Sequence, residues 1–250
     1  MRGWWQELAG LVLPAGCGGC GVARVLLCPG CAQALSGAAA GRVRPSPRPA
    51  GLPAVYAAAA YEGAVREVVL AHKERGALPL AGPLGAALAV AVDRAAGAGG
   101  GAVAAAEELV LVPVPSARRQ VRARGHDPAR RTALAAAARL RRAGVPARVA
   151  SVLRQLRPVA DQAGLGARER RENLTGALGV RGGGWQPFPA TARIVLVDDL
   201  ITTGATLAEA ARALRAASVG PVAGAAVVAA PAGSFVGNRS TTRTEQRSCE

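Results

Sequence analysis

An aliphatic run, Arg193-Ile-Val-Leu-Val, leads directly into two adjacent carboxylates, Asp198 and Asp199. Leu200 and Ile201 follow, then the turn Thr202-Thr203-Gly204-Ala205-Thr206 and an Ala/Leu-rich stretch from Leu207 to Ala217. That order describes a buried strand delivering a loop to a helix N-terminus, the repeating unit of a parallel α/β sheet. At such a junction the loop N–H groups and the helix dipole favour a phosphate, and the hydroxyls of Thr202, Thr203 and Thr206 add donors. Two carboxylates beside an anion site repel it unless the ligand also offers hydroxyls or a metal ion, as a sugar phosphate does. An ordinary capped strand-to-helix turn has no need of an acidic doublet with three threonines and a glycine.

The rest of the chain supplies the elements such a sheet requires. Strands are expected at 54–61, 108–115, 148–153, 177–180 and 222–230, and helices at 63–73, 80–96 and 129–142. Residues 97–106 are low-complexity Gly/Ala and read as a surface loop, 118–128 as a basic loop, and 162–173 as a polar segment. The alternation predicts a mostly parallel sheet with helices on both faces. At 250 residues and 50% hydrophobic content the chain is long enough for one such domain and a small module. Aromatic residues are only 3%, so the core must be Ala, Val and Leu. The formal charge is +15, and Lys73 is the single lysine. A GC-rich genome also produces an Arg-, Ala- and Gly-heavy chain, so the charge by itself names no partner. Its field attracts nucleic acid and polyphosphates, yet no basic stretch is interleaved with aromatics for base stacking.

No membrane insertion is expected, because the apolar stretch 222–231 is too short to cross a bilayer. The N-terminal segment superficially resembles a lipoprotein signal, but Gln6 and Glu7 break its apolar core, and a cytoplasmic location is expected.

Four of the five cysteines fall in Cys17-Gly-Gly-Cys20 and Cys28-Pro-Gly-Cys31. Each Cys-x-x-Cys turn puts two thiolates on one side of a bend, and two such bends complete a tetrahedral Zn²⁺ site. Four thiolate ligands leave no open position, so the metal would be structural. The alternative is a pair of disulfides, favoured only in an oxidising compartment. Cys249 lies in the polar tail and reads as an incidental thiol.

The Asp198–Thr206 segment resembles the 5-phosphoribosyl-1-pyrophosphate (PRPP) motif of type I phosphoribosyltransferases. Further stretches narrow the resemblance to the ComF/GntX (competence protein F) branch. They are Val112-Pro113-Val114-Pro115 with Arg124-Gly125-His126-Asp127-Pro128, Gln162-Ala-Gly-Leu165, Glu169-Arg170 with Asn173 and Gly176, Tyr61, Lys73, and Pro14 ahead of Cys17. Together they span about residues 10 to 232. The chain departs from that branch at His126, Asp127 and Pro128, where the family has Phe, Asn and Gln, and at Ser116 and Ala117.

The resemblance implies a type I phosphoribosyltransferase-like sheet (54–232) and an N-terminal zinc-ribbon-like module (1–35), while the Gly/Pro/Arg/Ser-rich stretch 36–53 reads as a linker and the polar, charged 233–250 as a disordered tail. It implies that Asp198 and Asp199 meet the ribose hydroxyls and that Thr202, Thr203, Gly204, Ala205 and Thr206 wrap the 5-phosphate, with Mg²⁺ accompanying PRPP. Arg118, Arg119, Arg122 and Arg124, with Lys73, are candidates to neutralise the pyrophosphate; the alternative for any one arginine is a solvated basic face. His126 reads as a surface histidine rather than a catalytic one. Two functions follow from the resemblance. One is transfer or sensing of a phosphoribosyl group in nucleotide salvage or DNA uptake. The other is a non-catalytic adaptor that binds single-stranded DNA or a competence helicase.

Overall fold

The computed structural model describes residues 16–97, 108–159, 169, 173–182 and 188–237. Its helices are α1 (Pro29–Ala34), α2 (Gly63–Lys73), α3 (Ala81–Gly97), α4 (Arg118–Arg124), α5 (Pro128–Arg142) and α6 (Ala205–Ala216). Its strands are β1 (Gly41–Val43), β2 (Val55–Ala60), β3 (Leu109–Pro113), β4 (Ala147–Val149), β5 (Leu153–Gln155), β6 (Leu178–Val180), β7 (Arg193–Leu200) and β8 (Val222–Ala230). Six strands form one mixed sheet in the order β1-β2-β8-β7-β3-β4. Only β1 runs antiparallel to its neighbour.

Strand alternation assigns the two faces. Leu109, Leu111, Val195, Val197 and Val228 point to the side covered by α2, α3 and α5. Val110, Val112, Ile194, Leu196 and Val227 point to the side covered by α6. Both cores are almost wholly aliphatic, as the shortage of aromatics requires. Small side chains oblige the layers to approach closely. At Gly85 of α3 a Cβ would lie against the Ala135 side chain and 2.8 Å from the Ala135 carbonyl carbon, so glycine permits the α3–α5 contact. The segment Leu78–Gly97 is long and apolar enough to cross a membrane by composition. In this fold it is a core helix, with ten of the α3 residues buried.

Four local outcomes differ from the sequence expectation. The basic stretch after β3 is a helix, α4, rather than a loop: Arg, Gln and Ala are strong helix formers, and Gly125 at φ 74° stops the helix. The 148–153 strand divides, with β4 joining the main sheet and β5 pairing antiparallel with β6 in a separate ribbon. Residues 41–43, inside the expected linker, form the edge strand β1. Beyond Gly233 the chain stays ordered through 237, with Ser234 accepting the Arg44 N–H and Phe235 bridging Val43. The expected loop at 98–106, Gln162, Leu165, Arg170 and the tail from 238 with Cys249 lie outside the described residues.

A buried carboxylate fixes the β5–β6 ribbon to α6. Glu209 is 6% exposed, accepts the Leu178 N–H at 3.1 Å and pairs with Arg212 at 2.7 Å, while Arg212 donates to the Leu178 carbonyl at 3.0 Å. Burial alone would raise the Glu209 pKa, but Arg212 and the Leu178 N–H outweigh it and hold it below the usual value. A lowered carboxylate pKa contributes stability above the unfolded pKa that is lost as pH falls through the folded one. Glu209→Gln is therefore expected to cost about 1.5–3 kcal/mol at pH 7 in urea denaturation, with the gap to wild type closing below the normal glutamate range.

Candidate functional site

Two features of the sheet converge on one edge. From β3 the chain passes outward to β4, and from β7 it passes the opposite way to β8, so the direction of winding reverses between the adjacent strands β3 and β7. Their carboxyl ends leave a crevice there, the position at which open α/β sheets take ligands. The Val114 N–H bonds to the Val197 carbonyl at 2.9 Å, which holds the two strand ends level.

A cavity of about 340 Å³ occupies that crevice, lined by Lys73 and Glu74 after α2, by Val114 to Ala117 after β3, and by Gln120 and Arg124 of α4. Asp198, Asp199, Thr202 and Thr206 close it from β7 and α6, and Gln155, Val159, Leu174 and Leu178 from the ribbon side. Of the residues singled out in the sequence, Lys73, Arg124, Asp198, Asp199, Thr202 and Thr206 are brought together here. Thr203 shapes the turn instead, its hydroxyl accepting the Ala205 N–H at 3.4 Å. Gly204 has φ 75°, and a Cβ there would lie 2.9 Å from Leu52. Gly204 caps α6 without a side chain, so the helix presents its first-turn N–H groups at the mouth of the cavity. Arg118 opens α4; Arg119 is exposed and outside the lining, where Gln120 stands instead.

The charged groups are paired with one another. Lys73 Nζ lies 2.7 Å from Asp199 Oδ2, and Arg124 donates to both Glu74 carboxylate oxygens at 3.0 and 2.7 Å. Burial would lower the Lys73 pKa, but the attraction of Asp199 and Asp198 prevails and raises it. Asp198 Oδ1 accepts the Asp199 N–H at 2.8 Å. Burial, and then repulsion from Asp199, push the Asp198 pKa well above the usual range. Arg124 Nη1 is buried with no partner among the described residues, which leaves one donor for an incoming oxygen.

Sequence reasoning missed Glu74, Gln120 and the ribbon wall, because no local pattern marks a partner 50 residues away. It also misplaced His126, which is 8% exposed. Its ring nitrogens lie 3.1 Å from the Arg124 carbonyl and 3.3 Å from the His72 carbonyl, so it ties the α4–α5 turn to α2 beneath Lys73.

The second centre is the cysteine cluster. Cys17 and Cys20 lie on a turn closed by the Cys17 N–H to the Val22 carbonyl at 2.7 Å, whereas Cys28 caps α1 and Cys31 lies in its first turn. All four thiols are free, and their sulfurs lie within 4.8 Å of one another. Tetrahedral thiolates around zinc stand about 3.8 Å apart, so the cluster can hold a metal ion such as zinc. Burial raises the Cys17 thiol, but N–H groups of Cys28, Cys20 and Gly19 and the Cys31 thiol bring it down to about 6. Burial and the neighbouring sulfurs push Cys31 up. The Cys17 thiolate therefore forms readily, whereas Cys31 needs a cation beside it to ionise. Gly19 is required here, since a Cβ would stand 2.7 Å from Cys31 Sγ.

Fold and sites together define an α/β protein with a mostly parallel, doubly covered sheet, a four-cysteine cluster and a charged cavity at the strand switch point. The chain matches no protein-family model and no curated protein.

Two measurements test these centres. Because the Asp198 pKa is raised, folding holds a proton the unfolded chain would release, and stability falls as pH rises above the usual aspartate range. Asp198→Asn is expected to melt at a higher temperature than wild type at pH 8, with the difference vanishing toward pH 4. The purified protein is expected to carry about one zinc per chain by elemental analysis, with Cys17→Ser or Cys31→Ser losing it and melting at lower temperature.

Proposed function

We propose that this chain is a type I phosphoribosyltransferase-like protein of the ComF/GntX kind that binds PRPP at the β3/β7 crevice. The observation that carries the reading is the Asp198–Asp199 pair sharing one cavity with the α6 N-terminus, Lys73 and Arg124. A ligand there must offer hydroxyls to the carboxylates and a phosphate to the loop, and a ribose 5-phosphate offers both.

The charge balance of the cavity sets a further requirement. Lys73 and Arg124 are already paired with Asp199 and Glu74, and Asp198 adds a third carboxyl whose pKa is raised, so the two cations leave no excess positive charge. A polyphosphate ligand cannot be held by these side chains alone. Mg²⁺ brought with PRPP would be chelated by the ligand's own oxygens beside Asp198 and Asp199, and the cation would supply charge neutralisation of the leaving pyrophosphate. Binding then exchanges partners: Lys73 leaves Asp199 for a phosphate oxygen, and Arg124 offers Nη1 to another.

In transfer, the bond between the ribose C1 and the pyrophosphate oxygen breaks, its electron pair leaving with pyrophosphate, and a nucleophile forms the new bond to C1. Negative charge at Asp199, with Asp198 beside it on the ribose hydroxyls, stabilises the cationic ribose, and Lys73 and Arg124 stabilise the departing anion. In this reading the cysteine cluster carries a structural zinc.

A second reading, a PRPP-sensing adaptor without turnover that binds single-stranded DNA or a competence helicase, is favoured by one observation. Among the described lining residues no histidine or cysteine faces the crevice to activate a nucleophile. Incubation with PRPP, Mg²⁺ and a panel of bases separates the two, since only the enzyme releases pyrophosphate in a base-dependent way. Under both readings, Asp198→Asn with Asp199→Asn is expected to weaken PRPP binding on the order of 100-fold or more by calorimetry. Unchanged affinity would sink the assignment.

A further inference from the structure

A second cleft of about 360 Å³ adjoins the first, sharing Pro115, Ser116 and Gln155 with it. Its walls are α4 on one side and the β5–β6 ribbon on the other, and they carry three arginines: Arg122, Arg154 and Arg181. The ribbon is anchored, with the Arg181 N–H on the Val152 carbonyl at 2.8 Å and Arg154 in register with Gly179. Arg122, Arg154 and Arg181 pair with no carboxylate among the described residues, in contrast to Lys73 and Arg124 next door.

One acidic residue, Asp127, also faces the cleft, but its Oδ1 is engaged by the Ser116 hydroxyl at 3.3 Å and the Arg130 N–H at 3.1 Å. As the N-cap of α5 its charge is offset by the helix dipole. The net field in the cleft is therefore positive. Three exposed guanidinium groups lining one cleft, with no carboxylate partner among the described residues, suit a dianionic phosphate, which planar forks grip through paired oxygens. The volume suits one small phosphate-bearing molecule rather than a strand of nucleic acid.

We infer that this cleft is the acceptor subsite and that the acceptor, or the co-ligand sensed with PRPP, carries a phosphate group held by Arg122, Arg154 and Arg181. The inference rests on the PRPP reading of the neighbouring cavity. The shared wall of Pro115, Ser116 and Gln155 is what puts a phosphate-anchored acceptor next to the ribose. In the PRPP reading, Lys73 and Arg124 are both taken up by the donor, so the acceptor's charge must be met from this side.

The test titrates inorganic phosphate by calorimetry into the full-length protein saturated with PRPP and Mg²⁺, so that the first cavity is filled. Saturable phosphate binding is expected, weakened about tenfold or more in Arg154→Gln/Arg181→Gln, with PRPP affinity unchanged in that variant. Arg154→Lys/Arg181→Lys is expected to recover part of the phosphate affinity. No phosphate binding to the PRPP-saturated wild type, or equal binding by the Gln variant, would overturn the subsite while leaving the PRPP reading intact. If instead a ten-nucleotide single strand binds in an arginine-dependent way while phosphate does not, the cleft belongs to nucleic acid and the inference fails. Failure of PRPP itself to bind would remove the underlying reading, and the acceptor role with it.

Discussion

The contact between Lys73 and Asp199 at 2.7 Å organises the molecule around it. Two adjacent carboxylates at a buried strand end are costly, because desolvation and mutual repulsion both oppose ionisation. The sheet resolves this unequally. Alternation along β7 turns Asp199 toward the face covered by α2, where Lys73 stabilises its charge, and leaves Asp198 with its pKa raised. For Lys73 to reach that point, α2 must end at the sheet's carboxyl edge. The buried His72–His126 pair, with ring centres 5.6 Å apart, helps fix it there by joining α2 to the turn before α5.

That arrangement stores the interactions a ligand would use. Arg124 and Lys73 are held in the crevice by carboxylates of the same wall, so their long side chains are already ordered before a phosphate arrives. Exchange of one oxygen anion for another then costs little conformational entropy. The exchange also releases Asp199 and Glu74 into the cavity, which raises local negative charge unless a cation enters with the ligand. In the proposed reading, the same geometry that pre-orders the cations would couple anion binding to metal binding.

The elements legible in the sequence were those whose burial is decided locally. The run 222–230 is aliphatic throughout and bounded by proline on both sides, and it is β8 to the residue. The span 63–73 is likewise α2. The Asp-Asp, Thr-Thr-Gly order and the paired Cys-x-x-Cys turns were legible because each packs its chemistry into a few consecutive residues. What escaped depends on distant partners. A run of arginines after β3 carries no apolar stripe, so its helical propensity was masked by its charge and α4 read as a loop. β1 exists because β2 offers an edge to pair with, and its own Gly-Arg-Val says little. Glu74 became part of the site only through Arg124, and Glu209 only through Leu178 and Arg212.

Glu209 shows how such a distant partner can control the site. The ribbon β5–β6 contributes the outer wall of both clefts, yet it belongs to neither strand order nor layer of the main sheet. Its own two strands are three residues each, too short for independent stability. What helps position it is an anchor on α6, the helix that opens at the first cavity. The Glu209–Arg212–Leu178 contacts therefore tie the ribbon to α6, while Leu153 and Leu178 pack it into the core shared with Val110, Val112 and Leu196. In the proposed reading, a ligand seated on the Thr202–Thr206 loop would lie against the same helix, α6, that carries the ribbon walling the arginine cleft, so Glu209 would act on both clefts from outside either.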